Sequence, residues 1–305
     1  MIWPREAWFE PVERFREKLG TMGEGVTVGI WDSGYSNMRD TGRTDAQGKK
    51  LYEGAPDIFG GRMKGRSYVD ADHSRYDAPT GSMHGSEIAR IIGGDVDYWG
   101  IAPACDLITI KGVVPDSRYS FASLVQDKQV YAKVDVLNIS HAFDQDSQTP
   151  SVTSIIGEFT NNVADDKLIV ASVGNFSARN GPKVTFPASI ASVVSVGATV
   201  GWTLKAFRLS APSTNLDLCV PGVDLNSFYY GKPISGTSFS AAIVSGLMCL
   251  LISFRKREGL THTALTLRAL FMQAAIPGPD RDRFGDGLLD LDRLVQLAHT
   301  TPSTP

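Results

Sequence analysis

The sequence predicts one doubly wound α/β domain, on three observations: short apolar runs rich in β-branched residues recur along the chain, helix-length stretches separate them, and neither a linker nor an internal repeat divides it. The runs are residues 26–31, 107–110, 134–139, 168–173 and 193–196. They lack the polar alternation of a sheet with one wet face, so they read as strands of a mostly parallel sheet covered by helices on both faces. Helices are read over 85–92, 121–132, 151–163 and 237–254. The region 39–81 is polar, rich in Gly, Asp and Arg and weakly periodic, and reads as a long excursion between core elements. A turn-rich connection at 277–287 precedes a last helix at 288–298, and the end of the chain, 299–305, is expected to fray.

Composition narrows the function classes. With 305 residues, 42% hydrophobic and 21% charged, the chain can bury a large core. A net charge of -3 and a sequence pI near 6.0 give no general attraction to nucleic acid or anionic membranes, and neither is expected as a partner. The N-terminal residues 1–20 carry acids and prolines and no continuous apolar run of the export type, so a cytoplasmic location is expected. Cys105, Cys219 and Cys249 are odd in number and widely spaced, which suggests buried reduced thiols rather than a disulfide framework or a zinc site. No metal or other cofactor is expected. The uncharged stretch 239–254 is short of the roughly 20 residues that cross a bilayer and is broken by Ser240, Ser245 and Gly246, so a buried helix fits it better.

Four positions carry candidate chemistry. Asp32, in Asp32-Ser33-Gly34, ends a buried strand, and in an open parallel sheet the carboxyl ends of strands form the ligand crevice. A turn or N-cap aspartate is the plainer alternative. His84, in His84-Gly85-Ser86, sits at a helix entrance, where it could also be a surface or capping residue; Gly85 would let neighbouring backbone approach. Ser238, in Gly236-Thr237-Ser238-Phe239, opens the long apolar helix, whose amide groups and positive dipole end favour an oxyanion. An N-cap serine explains one residue but not the trio. Asn175 follows the strand 168–173 and Gly174, and its side-chain amide could donate to an oxyanion beside the Ser238 N–H; a buried or turn asparagine is the plainer alternative. A serine hydroxyl needs an imidazole base, a carboxylate to orient it and donors for the developing charge, and these residues supply them all.

In this order, Asp, His, Ser, with Asn175 between the last two, the chain resembles the subtilisin family of serine proteases from about Val26 to Leu288. Residues 100–103, 136–140, 186–198, Pro221-Gly222 and 285–289 fit further blocks of that family. The resemblance implies a three-layer subtilisin-like fold and a serine endopeptidase, with domain limits of 1–25 for an N-terminal extension, 26–298 for the peptidase domain and 299–305 for a flexible tail. It also implies that an extended polypeptide substrate lies between Val113 to Tyr119 and Ser140, His141 and Ala142, near Gly174, by β-augmentation. Departures exist. His141, Ala142 and Phe143 stand where relatives usually carry Leu-Gly-Gly, Ala242 replaces a proline, Arg90 stands where a small glycine is common, and the short 95–99 segment lacks the loop with which many relatives bind calcium. Without room for a large prodomain before Val26, the arrangement is similar to intracellular members, and residues 1–20 could lie across or beside the cleft as a short regulator or simply dock as a helix. A regulatory protein partner is compatible with that. An acyl-enzyme passed to an amine would make a peptide ligase or cyclase, and a binding-only pseudoprotease would expect a lost triad position.

Overall fold

The computed structural model describes residues 7–36, 38–67, 83–112, 132–141, 167–176 and 186–300. Among these a nine-stranded sheet runs β4-β5-β1-β6-β7-β8-β9-β11-β10, with β1 (Thr27–Asp32), β4 (Met63–Ser67), β5 (Asp106–Lys111), β6 (Val136–Ile139), β7 (Leu168–Ser172), β8 (Val194–Thr199), β9 (Leu218–Pro221), β10 (Ala275–Ile276) and β11 (Leu288–Leu289). Every neighbouring pair is parallel except β10 with β11. The strands β6 to β9 are buried along their whole length, which is why they read as continuous apolar runs. After β1 the chain forms the edge strand β4 and then α2 (His84–Gly93) before it reaches β5 on one side of β1, and it places β6 on the other. At that reversal the carboxyl ends of adjacent strands open a crevice. Asp32 ends β1 and Ser140 follows β6, so both stand at its mouth.

The helix α3 (Thr237–Arg257) packs against β6, β7, β8, β9 and α2 and is buried continuously from Thr237 to Arg255. Surrounded on all sides, it needs no polar face. Among the described residues it is the one helix long and apolar enough to cross a membrane, and all of that window is buried inside the domain. Two further helices, α4 (Ala264–Ala274) and the four-residue α5 (Arg281–Phe284), lead to α6 (Leu291–Leu297).

The N-terminal helix α1 (Glu10–Leu19) belongs to the core. Trp8, Phe9, Val12, Phe15 and Leu19 are buried, the Arg16 guanidinium donates to the Gly100 carbonyl at 3.2 Å, and Lys18 pairs with Asp292 at 2.7 Å. Arg257, the last residue of α3, donates to the Leu19 carbonyl at 2.8 Å. The described part of the N-terminal extension packs at the rear of α3, opposite the end that carries Ser238.

Two sequence expectations change. The excursion 39–81 contains a hairpin, β2 (Met38–Thr44) with β3 (Lys50–Gly54), and the edge strand β4. The hairpin is held by backbone pairing and by polar contacts such as Arg39 to Glu53 at 2.6 Å and Lys50 to Asp40 at 2.7 Å, so no apolar period announces it. Its turn is closed by Asp45 Oδ1, which accepts from the Gln47 and Lys49 amides. The last helix starts at Leu291 rather than 288, because residues 288–289 pair as β11 and the Asp290 side chain caps the helix by accepting from the Asp292 and Arg293 amides. The predicted helix at 151–163, and 121–132 apart from Ala132, lie outside the described residues. Cys105, Cys219 and Cys249 are free and buried; burial pushes the Cys219 thiol up to about 12 and Cys249 well above its usual value.

Candidate active site

Asp32 is carried by the last position of β1 and is 2% exposed. Its carboxylate faces the first residue of α2. Oδ1 and Oδ2 lie 2.8 and 2.9 Å from His84 Nδ1, and Oδ1 also accepts the Ser33 amide at 2.8 Å. This meeting depends on Gly85, where any Cβ would collide with the Gly34 carbonyl oxygen and crowd the Asp32 side chain. Two more bonds fix the helix entrance, Gly85 N–H to Ser33 Oγ at 3.3 Å and Ser36 N–H to Ser86 Oγ at 2.6 Å.

Burial pushes the Asp32 carboxyl upward, but the His84 charge and hydrogen bond together with the Ser33 amide outweigh it and hold the carboxyl below its ordinary value. For His84, burial acts to lower the pKa, and the Asp32 charge and bond, aided by Glu87, raise it above 6.5. Because an ionised carboxylate only accepts, Nδ1 carries the proton and Nε2 of the neutral ring is left as a base. The imidazole is partly open to solvent, with 25% of its side chain exposed.

Ser238 lies in the first turn of α3 and is 7% exposed. The His84 ring stands 5.6 Å from the ring of Phe239, the next residue, which brings the imidazole to the front end of α3. Ser238 and Ser140 form a reciprocal pair: Ser238 Oγ donates to the Ser140 carbonyl at 3.0 Å and Ser140 Oγ to the Ser238 carbonyl at 2.9 Å. Beneath them Asn138 Nδ2 donates to Ser140 Oγ and Ser245 Oγ to Asn138 Oδ1, each at 3.0 Å. A buried polar chain thus ties the end of β6 to α3.

Asn175 is exposed just beyond β7, after Gly174, whose φ of +101° suits a glycine. Its Oδ1 accepts from both the Thr237 amide at 3.0 Å and the Thr237 hydroxyl at 3.3 Å. The Nδ2 donor of the same amide lies beside Gly236, 3.2 Å from where a Cβ on that residue would stand. The anchoring role of Thr237 is a part the sequence reading missed, although the residue lies inside the motif it quoted.

His141 follows Ser140 and stacks at a tilt on the buried Trp31, ring centroids 6.0 Å apart. Burial lowers its pKa, the Asp32 charge opposes this, and the His84 charge adds to it. The structure therefore brings Asp32, His84, Ser238, Asn175, Gly174, Ser140 and His141 to one end of the sheet, while Val113, Tyr119 and Ala142 lie outside the described residues. Among the described residues no cluster of His, Cys, Asp and Glu has the grouping of a metal site.

Known proteins share this architecture. Subtilisin BL of Lederbergia lenta is 25% identical over 280 residues, covering 90% of this chain and 91% of that protein. The minor extracellular protease Epr of Bacillus subtilis (strain 168) is 27% identical over 295 residues, 93% of this chain and 41% of Epr. In three dimensions the chain is similar to MycP1 with its N-terminal propeptide removed, at a TM-score of 0.71 and 22% identity over 98% of this chain and 99% of that one. It is equally similar to the PatG macrocyclase domain, with a TM-score of 0.71 and 16% identity over 95% and 96% of the two chains. The profile of the subtilase family, peptidase S8, matches residues 23–293, so the fold, the serine peptidase class and the sequence agree: the chain belongs to the subtilase family.

Proposed function

We propose that the chain is a serine endopeptidase in which Asp32, His84 and Ser238 form the catalytic triad and Asn175 completes the oxyanion site. The observation that carries this reading is the Asp32 carboxylate fixed on His84 Nδ1, which leaves Nε2 basic in the crevice where α3 presents Ser238. In the reaction, His84 Nε2 takes the proton of Ser238 Oγ as the oxygen attacks the scissile carbonyl. The Ser238 N–H and Asn175 Nδ2 stabilise the developing oxyanion, and the imidazolium then protonates the leaving amine. Water, deprotonated by the same imidazole, releases the acyl group. An extended polypeptide adds as a strand beside Ser140, His141 and Ala142 on one side and Val113 to Tyr119 on the other, with Gly174 near the scissile bond.

A fluorophosphonate probe should label the wild-type chain and fail to label Ser238→Ala. Labelling that survives the substitution would reject Ser238 as the nucleophile. The same fold hosts a macrocyclase in PatG. Mass spectrometry of products from a peptide library therefore decides whether water or an amine takes the acyl group; hydrolysed fragments are expected, and cyclised or ligated products would point to the amine.

A further inference from the structure

One turn beyond His84 on α2 lies a charge pair with no part in the steps above. Glu87 and Arg90 are 0% and 2% exposed, and Arg90 Nε pairs with Glu87 Oε1. Both reach away from the helix. Glu87 Oε2 accepts from Ser227 Oγ at 2.7 Å and from the Tyr229 amide at 3.0 Å. Arg90 donates from Nη1 to the Tyr98 carbonyl at 3.0 Å and from Nη2 to the Asn226 carbonyl at 3.1 Å. Segment 226–229 in turn leads to the nucleophile: Leu225 and Ile234 form an antiparallel bridge, and the Gly236 amide donates to the Gly222 carbonyl at 2.8 Å, immediately before α3. The base and the nucleophile thus hang from elements joined at one buried anchor.

Such a pair is a poor source of stability, because removing two charges from water offsets most of their attraction, and apolar replacements of similar volume are often neutral or stabilising. What it supplies is direction, since guanidinium and carboxylate bond along fixed axes. We propose that Glu87 and Arg90 are positioning residues that hold the His84 imidazole in line with Ser238 by fastening α2 to the 226–229 segment. The inference rests on the catalytic reading of His84 and Ser238. The charged or titratable groups that act on His84 are Asp32 from β1, His141 after β6 and Glu87 from α2; α3 presents Phe239 and no acid in its first turn.

The test replaces both partners, Glu87→Leu with Arg90→Met, so that no lone charge is left buried. Four quantities are read: kcat, KM, the fluorophosphonate labelling rate, and the downfield proton resonance of the His84 Nδ1–H. The folded double variant is expected to lose about tenfold to a hundredfold in kcat and labelling, the scale of a small misplacement of reacting groups, with KM unchanged. Its acid limb should move to lower pH, because the Glu87 charge favours the imidazolium, and the His84 resonance should shift or broaden. Arg90→Lys keeps the charge but cannot reach Glu87 and both carbonyls at once, so it should show a smaller loss and serves if the double variant does not fold. Folded variants with wild-type kcat, labelling, pH profile and resonance overturn the proposal. The resonance needs no substrate: an unlabelled wild type whose resonance the variants still disturb would reject the chemistry and keep the anchor.

Discussion

The two ends of α3 are built on opposite rules. At the rear, Arg255, Lys256 and Arg257 meet the carbonyl pole of the helix and fasten the chain around it. The Arg255 guanidinium, buried at 0% exposure, donates to the Thr261 carbonyl at 2.6 Å, to Ala298 at 2.6 Å and to Thr300 at 2.9 Å. Lys256 bonds the Gly25 carbonyl and the Asp135 carboxylate, at 3.0 and 2.8 Å. At the front no acid occupies the first turn, although α1, α2, α5 and α6 all carry one there. An acid would offset the roughly half positive charge of the amide pole. In the proposed mechanism the front keeps its field for a charge that appears only during reaction, while the contacts of the rear hold the fold.

Substitutions can break or sharpen this contrast. Ser238→Ala should lower kcat on the order of 10⁶, the scale measured in subtilisin itself, with only about 1 kcal/mol lost in unfolding free energy as the Ser140 carbonyl loses a donor. Asp32→Asn should cost about 10⁴ in kcat, since His84 loses the partner that sets its tautomer. Asn175→Ala should cost about 10² to 10³, again from the handling of the oxyanion as in subtilisin; wild-type kcat would dismiss Asn175 as a donor. At the rear the effect changes kind. Arg255→Met should lower unfolding free energy by about 2–4 kcal/mol in urea melts, because buried carbonyls lose their donor, while the labelling rate of the folded chain stays the same. A labelling defect there would erase the division between the ends. The smallest effect is one of pH. Catalysis needs the neutral imidazole, and burial lowers the His84 pKa while the Asp32 charge and bond more than reverse this. The acid limb of kcat/KM should therefore lie above 6.5, the ordinary imidazole value, and the residual activity of Asp32→Asn should show it at lower pH.

How legible each part was follows from where its stabilisation comes from. The strands β1 and β5 to β8 and the helix α3 bury mostly apolar surface, which leaves recognisable apolar runs in the sequence; β2 and β3 rest on backbone pairing and polar contacts and β4 on its pairing with β5, which leave none. Asp32, His84, Ser238 and Asn175 stand at element ends flanked by small residues, a local signature. Their supports do not. The reciprocal bonds of Ser140 and Ser238 join residues 98 positions apart, and Ser227 reaches Glu87 across 140. Arg90 was visible only as an odd side chain in a helix, since its partners are mostly backbone carbonyls that any residue would provide.

The three sulfurs have a practical consequence. Cys105 abuts Gly93 at the end of α2, Cys219 lies in β9 and Cys249 in the middle of α3, all without measurable access to solvent. An alkylating reagent attacks the thiolate, and the raised thiols of Cys219 and Cys249 hold almost none of that form at neutral pH while they remain enclosed. Modification must then wait for the interior to open, so its pace clocks local unfolding layer by layer. An enzyme whose attacking atom is oxygen carries, in its own cysteines, a set of silent reporters on when its interior admits water.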